Sequence, residues 1–155
     1  MVSGMPRPLL SLALLTGCAS TYAYTFQAPG ARHTPDGFDT LEDADVRAAV
    51  RVDAAGQAVR LDITNKTDQV LEVGWADISL ARADGAAAPL RPLADLGWIG
   101  PGATQTADLL PLVLPRRDDA ARRDDGRTFR LSVPMIVRRE PKTYRVQLVA
   151  KVEER

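Results

Sequence analysis

"FRLSVPMIVRREPKTYRVQLVAKV", residues 129–152, is the stretch on which the fold turns. Phe129, Leu131 and Val133 alternate with Arg130 and Ser132; Pro134 interrupts, and Met135-Ile136-Val137 resumes the apolar run. Arg138 to Thr143 (RREPKT) turns the chain, and Tyr144, Val146, Leu148, Ala150 and Val152 then alternate toward the end. Successive side chains of a strand point to opposite faces, so a period of two marks a half-buried strand. Two such runs joined by a short polar stretch read as a hairpin.

The same period recurs upstream. Val46, Ala48, Val50 and Val52 alternate with Arg47, Ala49 and Arg51, and beyond Ala54-Ala55-Gly56-Gln57 the face resumes at Val59, Leu61 and Ile63. Asn65-Lys66-Thr67-Asp68 has turn chemistry, because Asn and Asp side chains hydrogen-bond locally to the backbone. Leu71, Val73 and Trp75 share one face, and the step to Ile78 and Leu80 breaks parity, which predicts a bulge near Ala76-Asp77. Ala83-Asp84-Gly85 closes that strand. Further on, Leu90, Leu93 and Leu96 have helical spacing, but Pro89 and Pro92 oppose a long helix. Gly97-Trp98-Ile99-Gly100-Pro101-Gly102 reads as a rigid turn carrying two large apolar groups. Gln105 to Leu114 reads as extended, with Pro111 marking an edge or an interruption. Pro115 to Arg127 (PRRDDAARRDDGR) reads as a solvated charged loop. No segment carries an amphipathic helix of about 12 residues, and the pattern points to an all-β sandwich of about seven antiparallel strands over residues 43–155.

Of 155 residues, 45% are hydrophobic, enough for one core, and 20 basic side chains balance 20 acidic ones. With no basic excess to neutralise phosphates, the composition opposes nucleic acid as a partner. A single cysteine excludes a disulfide framework.

That cysteine, Cys18, ends a tripartite leader. Arg7 and the amino terminus supply positive charge, Leu9 to Leu15 (LLSLALL) supply an apolar segment, and Thr16 and Gly17 are small. The apolar run is far shorter than the ~20 residues that span a bilayer. Leu15-Thr16-Gly17-Cys18 resembles the lipobox of bacterial lipoproteins. The resemblance implies a signal peptide over residues 1–17, cleavage between Gly17 and Cys18, and diacylglycerol on the Cys18 thiol, with a further acyl chain on the new amino terminus. An ordinary secretory signal with an incidental cysteine is the alternative. Because each buried CH₂ contributes about 0.8 kcal/mol and stable anchoring needs more than one chain, two or three acyl chains would hold the protein to a membrane. Ala19 and Ser20 follow, without the aspartate that often marks inner-membrane retention, so the expected place is the outer membrane, facing the periplasm. Residues 18–42 read as a flexible tether broken by Pro29-Gly30, Pro35 and Asp36-Gly37. Within it, Tyr22, Tyr24 and Phe26 alternate, as a short strand or as rings resting at the lipid interface. About 20 flexible residues reach ~25 Å, which would stand the domain clear of the headgroups.

Residues 61–80 (LDITNKTDQVLEVGWADISL) and 99–111 (IGPGATQTADLLP) resemble small immunoglobulin-like domains of exported bacterial lipoproteins, in which a strand ends in Asn-x-Thr/Ser and a Pro-Gly loop precedes a later strand. This resemblance implies a fold and carries no activity.

The search for chemistry is short. Acylation would take Cys18 out of use as a nucleophile or ligand, and His33, the one imidazole, falls in the tether where a lone histidine is most often solvated, so Ser-His-Asp or Cys-His catalysis and Cys/His zinc sites lack their parts. No G-x-S-x-G occurs, and Ser79 and Ser132 fall in strand patterns. Asp118, Asp119, Asp124 and Asp125 each follow an arginine pair and lack calcium-loop spacing. Gly100-Pro101-Gly102 is no phosphate loop, and an acid/base pair drawn from Asp77, Asp95 or Asp108 has no patterned support. No cofactor and no metal ligand set is expected, and no enzyme. Trp75 belongs to the core by parity. Trp98, with Ile99, has two possible places: a cap on one end of the sandwich, the usual fate of a large aromatic, or an exposed anchor for a partner. The expected role is an envelope lipoprotein that binds or assembles with another envelope protein. A passive spacer and a carboxylate enzyme acting on cell-wall glycan are the alternatives.

Overall fold

The computed structural model describes residues 20–155 apart from Gly56, Ala83, Arg117 and the side chain of Asp118. Residues 1–19, and with them the expected signal peptide, Gly17 and Cys18, lie outside the described residues. Twelve strands follow in order: β1 (Tyr22–Gln27), β2 (Arg32–His33), β3 (Asp39–Glu42), β4 (Val46–Asp53), β5 (Ala58–Asn65), β6 (Glu72–Val73), β7 (Ser79–Ala81), β8 (Ala87–Pro89), β9 (Arg91–Pro92), β10 (Thr104–Leu110), β11 (Thr128–Val137) and β12 (Glu140–Glu154). A 3-10 turn at Trp75–Asp77 separates β6 from β7, and a short helix α1 (Asp118–Arg123) precedes β11. Seven of the strands have four residues or more.

They form two antiparallel sheets packed as a sandwich. One runs β1-β12-β11-β7-β8, with β6 also on β11; the other runs β2-β3-β4-β5-β10-β9. Alternation creates the core, since every second residue faces the opposite sheet. Val46, Ala48 and Val50 of β4 and Val59, Leu61 and Ile63 of β5 are buried from one side. Phe129, Leu131, Val133 and Met135 of β11 and Val146, Leu148 and Ala150 of β12 meet them from the other.

The structure corrects the sequence reading in four places. Residues 22–42 are not a tether. β1 pairs with the last strand, Tyr22 opposite Glu154, and β2 and β3 extend the other sheet. Tyr24 is buried, and Phe26 meets Phe129 edge to face at 5.4 Å, so these rings pack on the core rather than on lipid. The folded unit therefore begins about 20 residues before position 43, at Tyr22. His33 lies exposed in β2, with Nδ1 2.8 Å from Asp39 Oδ1. The parity break after Trp75 is a 3-10 turn, not a one-residue bulge, and it opens a gap on the edge of β11 where β6 stops and β7 starts. Pro134 does not interrupt β11. Its carbonyl accepts the Gly74 N–H at 2.8 Å, so its missing N–H would have faced the same gap, where no ladder partner is needed.

The fourth correction concerns the charged segment before β11. Residues 118–123 are helical, Ala121 is buried, and Asp124 is buried too. Asp124 Oδ2 accepts from the Tyr24 hydroxyl at 3.0 Å and from Arg82 at 2.6 Å. Burial, then the bond to Asp124, pushes the Tyr24 phenol far above its ordinary range, so it remains a donor.

Candidate functional site

The sandwich has two ends. At one, the β4–β5 turn lies beside Leu112, whose N–H bonds the Gln57 carbonyl, and beside Thr21 and Arg155 at the start of β1 and end of β12. At the other lie the Asn65–Asp68 turn, residues 97–102, and the β11–β12 turn. A groove of about 560 Å³ opens there, lined by Val70, Trp98, Pro101 and Ile136 and flanked by Asp68, Glu72 and Arg139.

Asn65 builds this end. It is the last residue of β5, and parity points its side chain inward, where it is 0% exposed. Its Nδ2 donates to the Gln69 carbonyl at 2.7 Å and to the Ile99 carbonyl at 2.9 Å; its Oδ1 accepts the Thr67 N–H at 2.9 Å and lies 2.8 Å from the Thr67 hydroxyl. The Asn65 carbonyl takes the Gly102 N–H, and its N–H bonds the Ala103 carbonyl. One amide thus ties the 65–69 turn to the loop that carries Trp98. Buried polar groups that are fully paired rigidify what they join. The same bonds occupy both hydrogens of the amide, and Asn65-Lys66-Thr67 forms the turn its residue types predict.

Leu71 and Ile99 complete the floor with reciprocal backbone hydrogen bonds of 2.9 Å each. Ile99 is 2% exposed, whereas its neighbour Trp98 is 72% exposed. Extended neighbours face opposite ways, so seating Ile99 in the core turns the Trp98 indole outward. Ile99, expected beside Trp98 as a partner contact, is instead seated in the core and offers a partner no surface, and Trp98 is an exposed side chain rather than a cap. The Gly97 carbonyl accepts the Nε1–H of buried Trp75 at 3.2 Å, which fixes the loop on its other flank. Val70, 50% exposed, and Ile136, 38% exposed on the outer face of β11, stand with Trp98 around the groove. Neither stands out by pattern: Ile136 is an outward apolar residue within β11, and Val70 lies in the loop ahead of β6, where no period marks it.

The rim is charged and partly strained. Arg138 and Arg139 form the two-residue β11–β12 turn with φ of 49° and 66°, a left-handed conformation that glycine and asparagine adopt more cheaply. Arg138 reaches Asp45 at 3.0 Å and Asp68 at 3.1 Å. The bond to Asp45 first, and the two carboxylate charges with it, raise the guanidinium further above its ordinary range. Beside it, Asp43 accepts from the Tyr144 hydroxyl at 2.7 Å and from Lys142 at 2.9 Å. Burial works against the Asp43 charge. Bonds from Tyr144, the Val46 amide, Lys142 and the Asp45 amide outweigh it and hold the carboxyl well below the usual carboxylate range. These bonds staple the β3–β4 turn of one sheet to β12 of the other.

Among the described residues, no group of three His, Cys, Asp or Glu side chains is placed to hold a metal ion, and no helix is long and apolar enough to cross a membrane. Of the aspartates weighed for acid/base work, Asp108 pairs with Arg60 at 3.0 Å, Asp77 ends the 3-10 turn, and none of Asp77, Asp95 or Asp108 lines the groove.

No protein-family model matches this chain, and no curated protein matches it. Among solved structures, the X-ray structure of Northeast Structural Genomics Consortium target SoR45 aligns over 86% of each chain at 8% identity with a TM-score of 0.35, a likeness too slight to bear on fold or function.

Proposed function

We propose that this chain is an envelope lipoprotein, acylated at Cys18 and held at the outer membrane on its periplasmic face, whose sandwich is a binding module for another envelope protein. The observation that carries the binding role is the exposed Trp98, held on a fixed loop by buried Asn65 and flanked by exposed Val70 and Ile136. Exposing a large aromatic to water forgoes burial worth roughly 2–3 kcal/mol, and a rigid indole ringed by apolar groups is the usual make-up of an interface hot spot. The anchor rests on the Leu15-Thr16-Gly17-Cys18 motif, and the outer-membrane placement on Ala19-Ser20.

Crosslinking followed by mass spectrometry in the source cells tests both parts. Wild-type protein should yield one dominant protein partner. Cys18→Ser should lose the partner through loss of the membrane attachment. Trp98→Ala should keep the fold and weaken the partner contact at least tenfold, since a tryptophan hot spot contributes about 2 kcal/mol or more. An undiminished partner in Trp98→Ala sinks the groove as the contact surface. A Cys18→Ser protein that functions only when a different anchor is supplied, with no partner found, favours the passive spacer.

A further inference from the structure

The end of the sandwich opposite the Trp98 groove is where the chain comes in from Cys18, and the spacer there is short. The Thr21 carbonyl accepts the Arg155 N–H at 2.8 Å, and the Tyr22 N–H bonds the Arg116 carbonyl at 3.1 Å. Only Ala19 and Ser20 lie between Cys18 and Thr21. Three peptide links extend at most about 11 Å, at ~3.6 Å per residue. A headgroup layer is itself roughly 5–8 Å deep, half the difference between the ~30 Å hydrocarbon core and the 40–45 Å full bilayer. The ~25 Å clearance of a flexible tether is therefore absent.

We infer that this end of the sandwich rests on phospholipid headgroups, with the Trp98 groove directed away from the membrane. The inference builds on the acylation of Cys18 proposed above. The surface brought to the lipid suits the place. Tyr22 is a half-buried ring whose hydroxyl accepts from Arg122 Nε at 2.7 Å, with the guanidinium 5.6 Å from the ring centre. Arg116, Arg122 and Arg155 are all exposed around the Thr21–Tyr22 start of β1, and arginine forks match phosphate oxygens. Val113, 71% exposed, stands in the same segment as Arg116, next to Leu112 on the β4–β5 turn. Glu154, 3.2 Å from Arg122, and Asp53 share this end, so it is a mixed polar surface with an apolar point rather than a polybasic patch. An aromatic ring, arginines and one exposed apolar side chain are what an interfacial surface uses. β12, 15 residues long, carries the chain from the groove end to this one, roughly 45 Å of strand at ~3.3 Å per residue.

The test uses full-length protein, expressed in the source cells, extracted from membranes and reconstituted in vesicles of phosphatidylethanolamine and phosphatidylglycerol. Intact mass first reads whether Cys18 carries its acyl chains. Two variants, Ala55→Cys at the end by Thr21 and Gln69→Cys at the groove end, are labelled with a fluorophore and titrated with a nitroxide-headgroup lipid. With Cys18 acylated, strong quenching at position 55 and little at position 69 supports the inference. Equal quenching, or more at position 69, overturns it and leaves the anchor standing. An unacylated Cys18 overturns the anchor and this inference together, and the mass measurement separates that failure from the previous one.

Discussion

Replacing Asn65 with alanine should loosen the whole groove end while leaving both sheets in place. The side chain makes two donor bonds, to Gln69 and Ile99 carbonyls, and accepts from the N–H and hydroxyl of Thr67. Neither carbonyl is stranded by the change, because Ile99 keeps the Leu71 N–H and Gln69 can take the Thr67 hydroxyl. The Thr67 N–H is left buried and alone, at about 1–3 kcal/mol, and the two lost donor bonds add about 1 kcal/mol each. The sum is about 3–5 kcal/mol, or about 10–20 °C in Tm for a domain of this size. Urea unfolding gives the free energy, and iodide quenching of the two tryptophans gives the place. Wild type should offer iodide only Trp98, whereas Asn65→Ala should also expose Trp75, whose indole leans on the same loop through Gly97. Asn65→Asp, which has the same shape but sets a carboxylate against two carbonyls, should be at least as unstable. A loss below about 1 kcal/mol with Trp75 still shielded would refute the assignment of Asn65 as the residue that holds the Trp98 loop.

Other substitutions test other parts of the structure. Arg139→Gly relieves a side chain held at φ 66° and should raise stability by about 0.5–1 kcal/mol in urea unfolding; a loss there would mean that Arg139 makes a contact outweighing its strain. Gly74→Ala places a Cβ 3.0 Å from Pro134 Cγ and 3.3 Å from its carbonyl oxygen, and should cost about 1–2 kcal/mol in Tm measurements by distorting the β6–β11 junction. Asp43→Asn probes the inter-sheet staple through pH. The folded Asp43 titrates below its unfolded value, so its stabilisation is present above pH ~4 and is lost as pH falls through the folded value. The variant should therefore be less stable than wild type at neutral pH, with the gap closing below pH ~4; a gap independent of pH would mean that the staple does not depend on the charge.

Strands that carry an uninterrupted period of two were legible residue by residue: the inward sets of β4, β5 and β12 are those the alternation names, whereas β11 runs on through the proline that reads as a break. Asn65 was legible only as a turn former. Its role emerges from parity, which makes it the next inward position after Val59, Leu61 and Ile63. The amino-terminal strands were misread for a physical reason. β2 and β3 have two and four residues, glycines and prolines separate them, and the partner that makes β1 a strand lies at the far end of the chain. Local pattern cannot report such pairing. The same holds for Asp124: a neutral-looking Arg-Arg-Asp-Asp run hides one buried carboxylate because its partners, Tyr24 and Arg82, are distant in sequence. At Trp98 the composition of the loop left two places open. The choice was made by which of two adjacent apolar residues the core accepted, and it accepted Ile99.

The pairing of β1 with β12 also sets a timetable. Tyr22 lies opposite Glu154, so the first strand of the sheet has no neighbour until the last residues of the chain have been made. At translation rates of about 5–20 residues per second, β1 waits roughly 7–26 s for its partner. During that interval the sheet that holds β1 stays incomplete, because β11 and β12, which supply one wall of the core, emerge after every strand of the other sheet. The core of such a sandwich gains its second wall only once β11 and β12 have been made.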